Sequence, residues 1–366
     1  MVKNSLKLSN PNNKSKTKKQ IFTSRLSNKT PKKIPNYNKK DPSKLKKKAF
    51  NQLKNHSHPL EVLEVYSIQS PKVSIMMTSH KEPNLANAIK AILSQDVFYP
   101  YELVIISPDE EARKLVSSYR KNANVRFFKD KGVGKSAAIN EVLKEVKGDI
   151  LIFTDGDVTL LPGSINAIIK QFENPRIGCV SGRVISANPK DNMFGFWSHL
   201  LADAGAHNIR KHLYERKQFL ECTGYLFAFR NHIIKQIPVD VAEDTIIPYF
   251  FKKGGYEIGY AEQAKVFVKN PTSWKDWINQ RKRTAKAHEA LGKYVDTNNI
   301  PRVKSFSNEL SQGVLWALEY PKTIQEYFWT FLLFVARLYM WLLVFYETRL
   351  LKEPYADNWK KIKSAS

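Results

Sequence analysis

Two short acidic clusters in this 366-residue chain have the residue types and spacing of a reaction site. Asp155-Gly156-Asp157 follows the apolar run Ile150-Leu151-Ile152-Phe153, and Glu243-Asp244 opens a helical stretch. Four apolar residues that stop abruptly at a turn read as a strand buried on both faces. Carboxylates at the carboxyl end of such a strand stand where open α/β sheets take their ligands. Hard oxygen donors suit Mg²⁺ or Mn²⁺, which bind few carboxylates and complete their shell with substrate phosphates. The same three residues also make an ordinary strand-ending turn, since Asp-Gly favours one. Glu243-Asp244 has two readings as well. Acids at a helix N-terminus cap it and complement its dipole. A general base must instead lie within hydrogen-bond reach of the proton it removes, a distance that the sequence does not show.

Cations and glycines add further candidates. Gly132-Val133-Gly134-Lys135-Ser136 resembles part of a phosphate-binding loop, but Walker A needs a glycine where Lys129 stands. Lys135 at a helix start remains placed to meet an anion, or is simply a solvated lysine. Gly224 lies in Phe219–Arg230, read as a strand in which glycine lets a ligand approach the backbone or marks a bulge. Gln280 and Arg283, three residues apart on a basic helix, share one face.

The elements that must position these residues follow from periodicity. Strands are expected at Val73–Thr78, Tyr101–Ser107, Val125–Phe128 and the run into Asp155, separated by helices near Leu85–Leu93, Asp109–Tyr119 and Lys135–Val146. That alternation means βαβ units and a mostly parallel sheet. Beyond it come strand-like residues Gly178–Ile185, a long helical stretch Asn192–Tyr214, a helix from Glu243 through Phe251, a last strand Ala264–Val268 and a helix Ser273–Leu291. Trp274, Trp277 and Ile278 form the apolar side of that last helix.

In order, these pieces resemble an inverting family-2 glycosyltransferase of the GT-A fold, over about Lys72–Leu291. The resemblance implies a Rossmann-like, mostly parallel sheet with flanking helices. It implies that Glu82 contacts the nucleotide and that Asp109 holds a uracil-like base, although Ser107-Pro108-Asp109-Glu110 departs from the family's Asp-Asp-Gly-Ser. Gly134-Lys135 with Ala138-Ile139-Asn140 matches the family's Gly-Lys…Leu-Asn helix. Asp155 and Asp157 match its metal-binding pair, Gly224…Ala228-Phe229-Arg230 its acceptor-side strand, and Glu243-Asp244 the pair carrying the catalytic base, Asp244. Gln280-Arg281-Lys282-Arg283 resembles the Gln-x-x-Arg-Trp box of cellulose, chitin and hyaluronan synthases, with Thr284 in place of the tryptophan. The implied reaction moves a hexose from a nucleoside-diphosphate sugar, a UDP-sugar by resemblance, to a glycan or lipid-linked acceptor, using Mg²⁺ or Mn²⁺. The other class of function is a non-catalytic, membrane-bound carbohydrate- or nucleic-acid-binding protein on the same scaffold.

Charge is unevenly placed. The net charge is +25, and residues 1–54 hold 17 Lys/Arg against one acid, Asp41, or +16, leaving +9 on the rest. Poor in apolar residues, residues 1–60 are expected to form a disordered basic tail without a signal-peptide apolar region. Lysines near anionic lipid favour a membrane surface; the rival reading is phosphate contact in nucleic acid. Residues 61–295 are expected to form the catalytic domain, and 296–366 a membrane-associated helical segment. Tyr327–Tyr346 is long enough to span a bilayer. Nine of its twenty residues are aromatic, which suits an interface, and Arg337 lies near its middle. The basic residues Lys352, Lys360, Lys361 and Lys363 beyond it oppose a single span. The preferred reading is a pair of interfacial or re-entrant helices, about Ile324–Ala336 and Arg337–Leu350, with a single span and a buried soluble helix as alternatives. Cys179 and Cys222, without metal-ligand spacing, suit a reducing compartment and a cytoplasmic catalytic domain.

Overall fold

The Val-, Ile- and Met-rich runs of the first half become strands because helices cover both their faces. β1 (Val73–Thr78), β2 (Tyr101–Ser107), β3 (Val125–Lys129) and β4 (Ile150–Asp155) alternate with α1 (Leu85–Leu93), α2 (Glu110–Ser117) and α3 (Lys135–Val142). β1 pairs in parallel with β2 and β4, and β2 with β3. Parallel neighbours need a crossover between them, and the helices supply it. The computed structural model describes residues 71–119, 121, 122, 124–296, 313–351 and 364. The expected basic tail, the domain boundary near residue 61 and the lysines after Leu351 lie outside the described residues.

The second half is less regular. After β5 (Thr159–Leu160) and α4 (Ser164–Lys170) come β6 (Ile177–Ser186), α5 (Met193–Ala202) and α6 (Ile209–Glu215). Then follow β7 (Leu226–Arg230), α7 (Glu243–Lys253), β8 (Glu257–Val268) and α8 (Trp274–Lys286). The sheet runs β3-β2-β1-β4-β7-β6-β8-β5. β7 is antiparallel to both β4 and β6, β6 is parallel to β8, and β5 is antiparallel to β8. The sheet is therefore parallel across its first four strands and mixed beyond them.

Side chains alternate between faces as a period of two requires. Ile75 and Met77 of β1 enter one cluster with α1, α2 and α4, while Met76 enters the other with α3 and α7. Phe153 of β4 stacks against both Phe227 and Phe229 of β7, with ring centroids 4.8 and 5.0 Å away. Offset aromatic pairs of this kind add about 0.5–1.5 kcal/mol each beyond the area they bury.

Several expected elements differ from those observed. The long helical stretch is interrupted by a π-helical turn, Asp203–Asn208, between α5 and α6. The strand containing Gly224 begins only at Leu226, because the Thr223 amide donates to the Ser181 hydroxyl at 3.1 Å instead of to a strand partner. β5 and α4 escaped the periodicity because they hold two and seven residues.

The expected pair of C-terminal helices is one continuous helix. α9 (Val314–Glu319) precedes α10 (Ile324–Phe345), which runs through Arg337 into a π-helical turn, Tyr346–Leu350. Residues 324–345 contain no Gly or Pro, and a single arginine is a good helix former, so nothing stops the ladder. Thr323 opens the helix by accepting the Glu326 amide at 3.2 Å. Ile324–Leu350 is long and apolar enough to cross a membrane. One face of α10, with Leu333, Ala336, Met340 and Val344, packs with Phe196, Trp197 and Leu200 of α5 and Trp277 of α8. Its other face leaves Ile324, Phe328, Phe331, Val335, Leu338 and Leu342 exposed.

Candidate active site

The first acidic centre is built by register. Thr78 and Asp155 end β1 and β4 as paired neighbours, and the Thr78 hydroxyl donates to Asp155 Oδ1. Gly156 then turns the chain where a side chain would pack tightly. A Cβ there would stand 3.0 Å from Leu85 Cδ1 and 3.1 Å from Ser79 Cβ. The turn delivers Asp157, which keeps much of its surface open to solvent.

Lys135, the first residue of α3, reaches across to both acidic centres. Its Nζ lies 2.8 Å from Asp155 Oδ1 and 2.8 Å from Glu243 Oε1. The two carboxylate oxygens are thus within twice that distance of each other, which supplies the proximity that spacing alone could not. Burial favours the neutral amine, but the charges and hydrogen bonds of Asp155 and Glu243 outweigh it and hold the ammonium well above its usual pKa.

Glu243 and Asp244 open α7 but do not cap it: Ala242 is the N-cap and no side-chain cap bond is made. Their surroundings differ. Glu243 is 5% exposed and tied to Lys135, whereas Asp244 is half-buried against Gly224. A Cβ on Gly224 would lie 3.2 Å from Asp244 Oδ2, tighter than side chains ordinarily pack. Gly224 therefore allows the backbone to approach the carboxylate, from a turn and not from a strand.

Residues after β1 and β2 complete the open end of the sheet. Asp109 accepts the Lys81 amide and lies 3.5 Å from His80 Nδ1, so the two loops are held together. Lys81 has a positive φ of 49°, a strained position for lysine. Glu82 accepts the Asn84 amide at 3.0 Å. Burial, then the negative charges of Asp155 and Glu82, push the Asp157 pKa up to about 7, while Lys135 pulls it down. Asp157 is open to solvent, which screens the burial and the repulsion alike; the upward direction stands on the negative charges of Asp155 and Glu82 beside it.

This donor set fits a divalent cation. Crowded carboxylates gain from a cation between them, and Asp157 offers an accessible oxygen. Among the described residues, no three Asp, Glu, His or Cys groups close into a metal cage. Few protein donors, with phosphate oxygens completing the shell, is the habit of Mg²⁺ and of comparable Mn²⁺ sites.

The basic helix arrives through a residue that spacing did not single out. Gln280 Nε2 lies 3.5 Å from the Tyr225 hydroxyl, and Gln280 is 8% exposed with Oε1 lacking a partner among the described residues. Burial, then the charge of Asp157, raise the Tyr225 pKa, while Arg281 and Arg283 oppose them. Tyr225 thus meets the basic helix at Gln280 and feels the charge of Asp157. Asp130 was missed as well. It is 4% exposed after β3, with Oδ2 unpartnered among the described residues, and burial raises its pKa. Its position two residues before Gly132 was the available signal.

Residues 71–287 match the family described as glycosyltransferase like family 2, and the chain belongs to that family. It is 23% identical over 237 residues to the probable glycosyltransferase YdaM of Bacillus subtilis, covering 60% of this chain and 56% of that protein. It is 22% identical over 242 residues to an N-acetylglucosaminyltransferase of Rhizobium meliloti, covering 59% and 55%. The chain therefore spans little more than half the length of these curated relatives. Among solved structures it resembles a mannosyltransferase, PcManGT of Pyrobaculum calidifontis, in complex with GDP-Man and Mn²⁺. That match has a TM-score of 0.54 and 16% identity, over 85% of this chain and 95% of the other. At that identity the likeness speaks for the GT-A fold.

Proposed function

We propose that the chain is a membrane-associated, inverting hexosyltransferase that moves a sugar from a UDP-sugar to a glycan or lipid-linked acceptor. The observation that carries this reading is Lys135, whose ammonium joins Asp155 at the sheet end to Glu243 at the head of α7. It holds a donor-side acidic centre and a base-bearing helix at a fixed short distance.

Each residue then has a task. Glu82 and Asp109 hold the nucleoside, and Asp155 and Asp157 face the diphosphate and would hold the cation. A divalent cation bound there supplies positive charge against the leaving diphosphate. Lys135, already shared by two carboxylates, fixes their spacing. Asp244 takes the proton of an acceptor hydroxyl. The freed oxygen attacks the anomeric carbon from the face opposite the diphosphate. The new oxygen–carbon bond forms as the bond to the β-phosphate breaks, its electron pair leaving with the nucleoside diphosphate. The anomeric centre inverts. Gln280 and Arg283 line the acceptor entrance beside the departing group, and Gly224 leaves room for the base.

A panel of nucleotide sugars offered with Mn²⁺ and a glycan or lipid-linked acceptor should yield nucleoside diphosphate, and EDTA should stop the release. Asp157→Ala should lose Mn²⁺-dependent UDP binding in calorimetry. No release from any donor would end the proposal; metal-independent UDP binding by wild type would remove the cation from it.

The membrane reading rests on α10. Trp197 Nε1 donates to the Trp329 carbonyl at 2.7 Å near one end of the helix, and Lys286 lies 2.8 Å from Glu347 at the other. A helix fastened at both ends to α5 and α8 cannot stand across a bilayer without carrying polar α8 into hydrocarbon. It lies instead along the surface with its exposed apolar stripe in lipid, and the catalytic domain stays in the cytoplasm. Truncation after Thr323 should release most protein from anionic vesicles in flotation, leaving a salt-sensitive remainder held by the lysines of the N-terminal segment. Flotation of the truncated protein at high salt would contradict this assignment.

A further inference from the structure

Beside the site lies a second polar cluster, closed off from solvent, that contains none of the groups assigned above. Glu221, Thr245, Tyr249 and His288 are all buried. Glu221 Oε2 lies 3.0 Å from His288 Nε2, and the Tyr249 hydroxyl donates to Glu221 Oε1 at 3.2 Å. His288 Nδ1 lies 3.0 Å from the Thr284 carbonyl oxygen, and its Nε2 is 3.3 Å from the Thr245 hydroxyl. A carbonyl only accepts, so Nδ1 carries the hydrogen of that bond. The backbone around Glu221 is held too. Arg210 Nε donates to the Glu221 carbonyl at 2.9 Å and Nη2 to the Cys222 carbonyl at 3.3 Å.

The cluster joins three segments that all reach the site. Thr245 directly follows Asp244, Thr284 directly follows Arg283, and Glu221 precedes Gly224 in one irregular segment. We infer that the buried Glu221–His288 pair is a positioning element. It fixes the angle between α7, which carries Asp244, and α8, which carries Gln280 and Arg283, so that base and acceptor-side groups face one donor. This role rests on the transfer reaction proposed above.

Stability does not by itself call for such a pair. Apolar residues of similar volume often hold a fold as well or better, because taking charge out of water is costly. Charge-assisted hydrogen bonds add geometric specificity, whereas apolar contact is non-directional. In a transfer reaction direction matters, since a misplacement of about 1 Å originating far from the reacting atoms can cost about 10²-fold in rate.

The full-length protein carrying Glu221→Leu with His288→Phe separates the two roles. It should melt near the wild-type temperature and bind UDP with Mn²⁺ within about threefold of wild type, while kcat for transfer falls at least about tenfold. His288→Gln, which keeps a polar amide, should restore part of that kcat. A folded double variant with wild-type kcat would overturn the inference and leave the pair as packing. Should the double variant fail to fold, Thr245→Val removes the contact with His288 and Tyr249→Phe the bond to Glu221, and both spare the Glu221–His288 pair. Both should lower kcat with UDP affinity unchanged, and unchanged kcat in both would overturn the inference. If wild type releases no nucleoside diphosphate from any donor, the proposed reaction falls, and amide exchange decides the positioning role alone. Thr245→Val and Tyr249→Phe should then speed exchange at least about tenfold in both 243–249 and 280–288 and leave β1 unchanged. Wild-type protection in either segment would overturn it.

Discussion

Asp244→Asn should lower sugar transfer by at least about 10²-fold, the lower bound of what a positioned general base contributes. The substitution keeps the size of the side chain and removes its capacity to take a proton. Binding of UDP with Mn²⁺ should stay near wild type, because the donor-side carboxylates are untouched. Helix capping offers no competing account, since Ala242 is the N-cap and Asp244 makes no cap bond. Loss of a first-turn charge costs α7 about 0.3–1 kcal/mol through the helix dipole, too little to mimic a rate loss of that size. Glu243→Gln should act differently. It weakens the tie to Lys135 and should lower stability more than Asp244→Asn does. Near-normal transfer by Asp244→Asn, measured as nucleoside diphosphate release with acceptor present, would sink the mechanism whatever the fold.

Lys135→Met should destabilise the protein by roughly 3–5 kcal/mol, the usual consequence of removing one partner from a buried ionic cluster. Met fills the space but leaves Asp155 and Glu243 facing each other without the ammonium that lies 2.8 Å from each. Chemical denaturation measures the loss. Its pH dependence is also fixed in sign. The folded-state pKa of Lys135 is raised above the unfolded value of about 10.4, so its contribution is complete throughout the neutral range. The part of the gap that belongs to the Lys135 ammonium should therefore be lost only as pH rises through its folded pKa in the alkaline range, whereas the part carried by Asp157, whose pKa Lys135 pulls down, should shrink as pH falls through about 7. A variant as stable as wild type at neutral pH would show that Lys135 does not hold the two acidic centres together.

Sequence and structure agree most closely where local pattern decides. β1, β2 and β4 were legible because short apolar runs with turn chemistry behind them have few alternatives, and Asp155 and Asp157 came with β4. Their distance from Glu243 was not legible, because it depends on Lys135 reaching across from another crossover helix. Tyr225, Asp130, Glu221 and His288 carried no local signal of comparable weight; each matters only through what folding places beside it. The C-terminal helix was misread for a different reason. Arg337 interrupts hydropathy but not helix propensity, and only propensity decides whether the helix continues. The insertion of β7 between β4 and β6 was also out of reach, since antiparallel pairing across so long a separation leaves no periodic trace in the sequence.

That insertion orders the making of the molecule in time. β1 to β4, with α1 to α3, are contiguous in the chain and pair through local crossovers, so they can assemble as soon as they are synthesised. β7 must wait until β5, β6 and α4 to α6 exist, and only then can α7 bring Glu243 and Asp244 into place. Non-local pairings of this kind pay their loop-closure cost before any contact repays it and form slowly. By sequence order alone, the strand ends at Thr78, Ser107 and Asp155 belong to the part of the sheet that needs no later segment, whereas the placing of Glu243 and Asp244 needs β7 and everything before it.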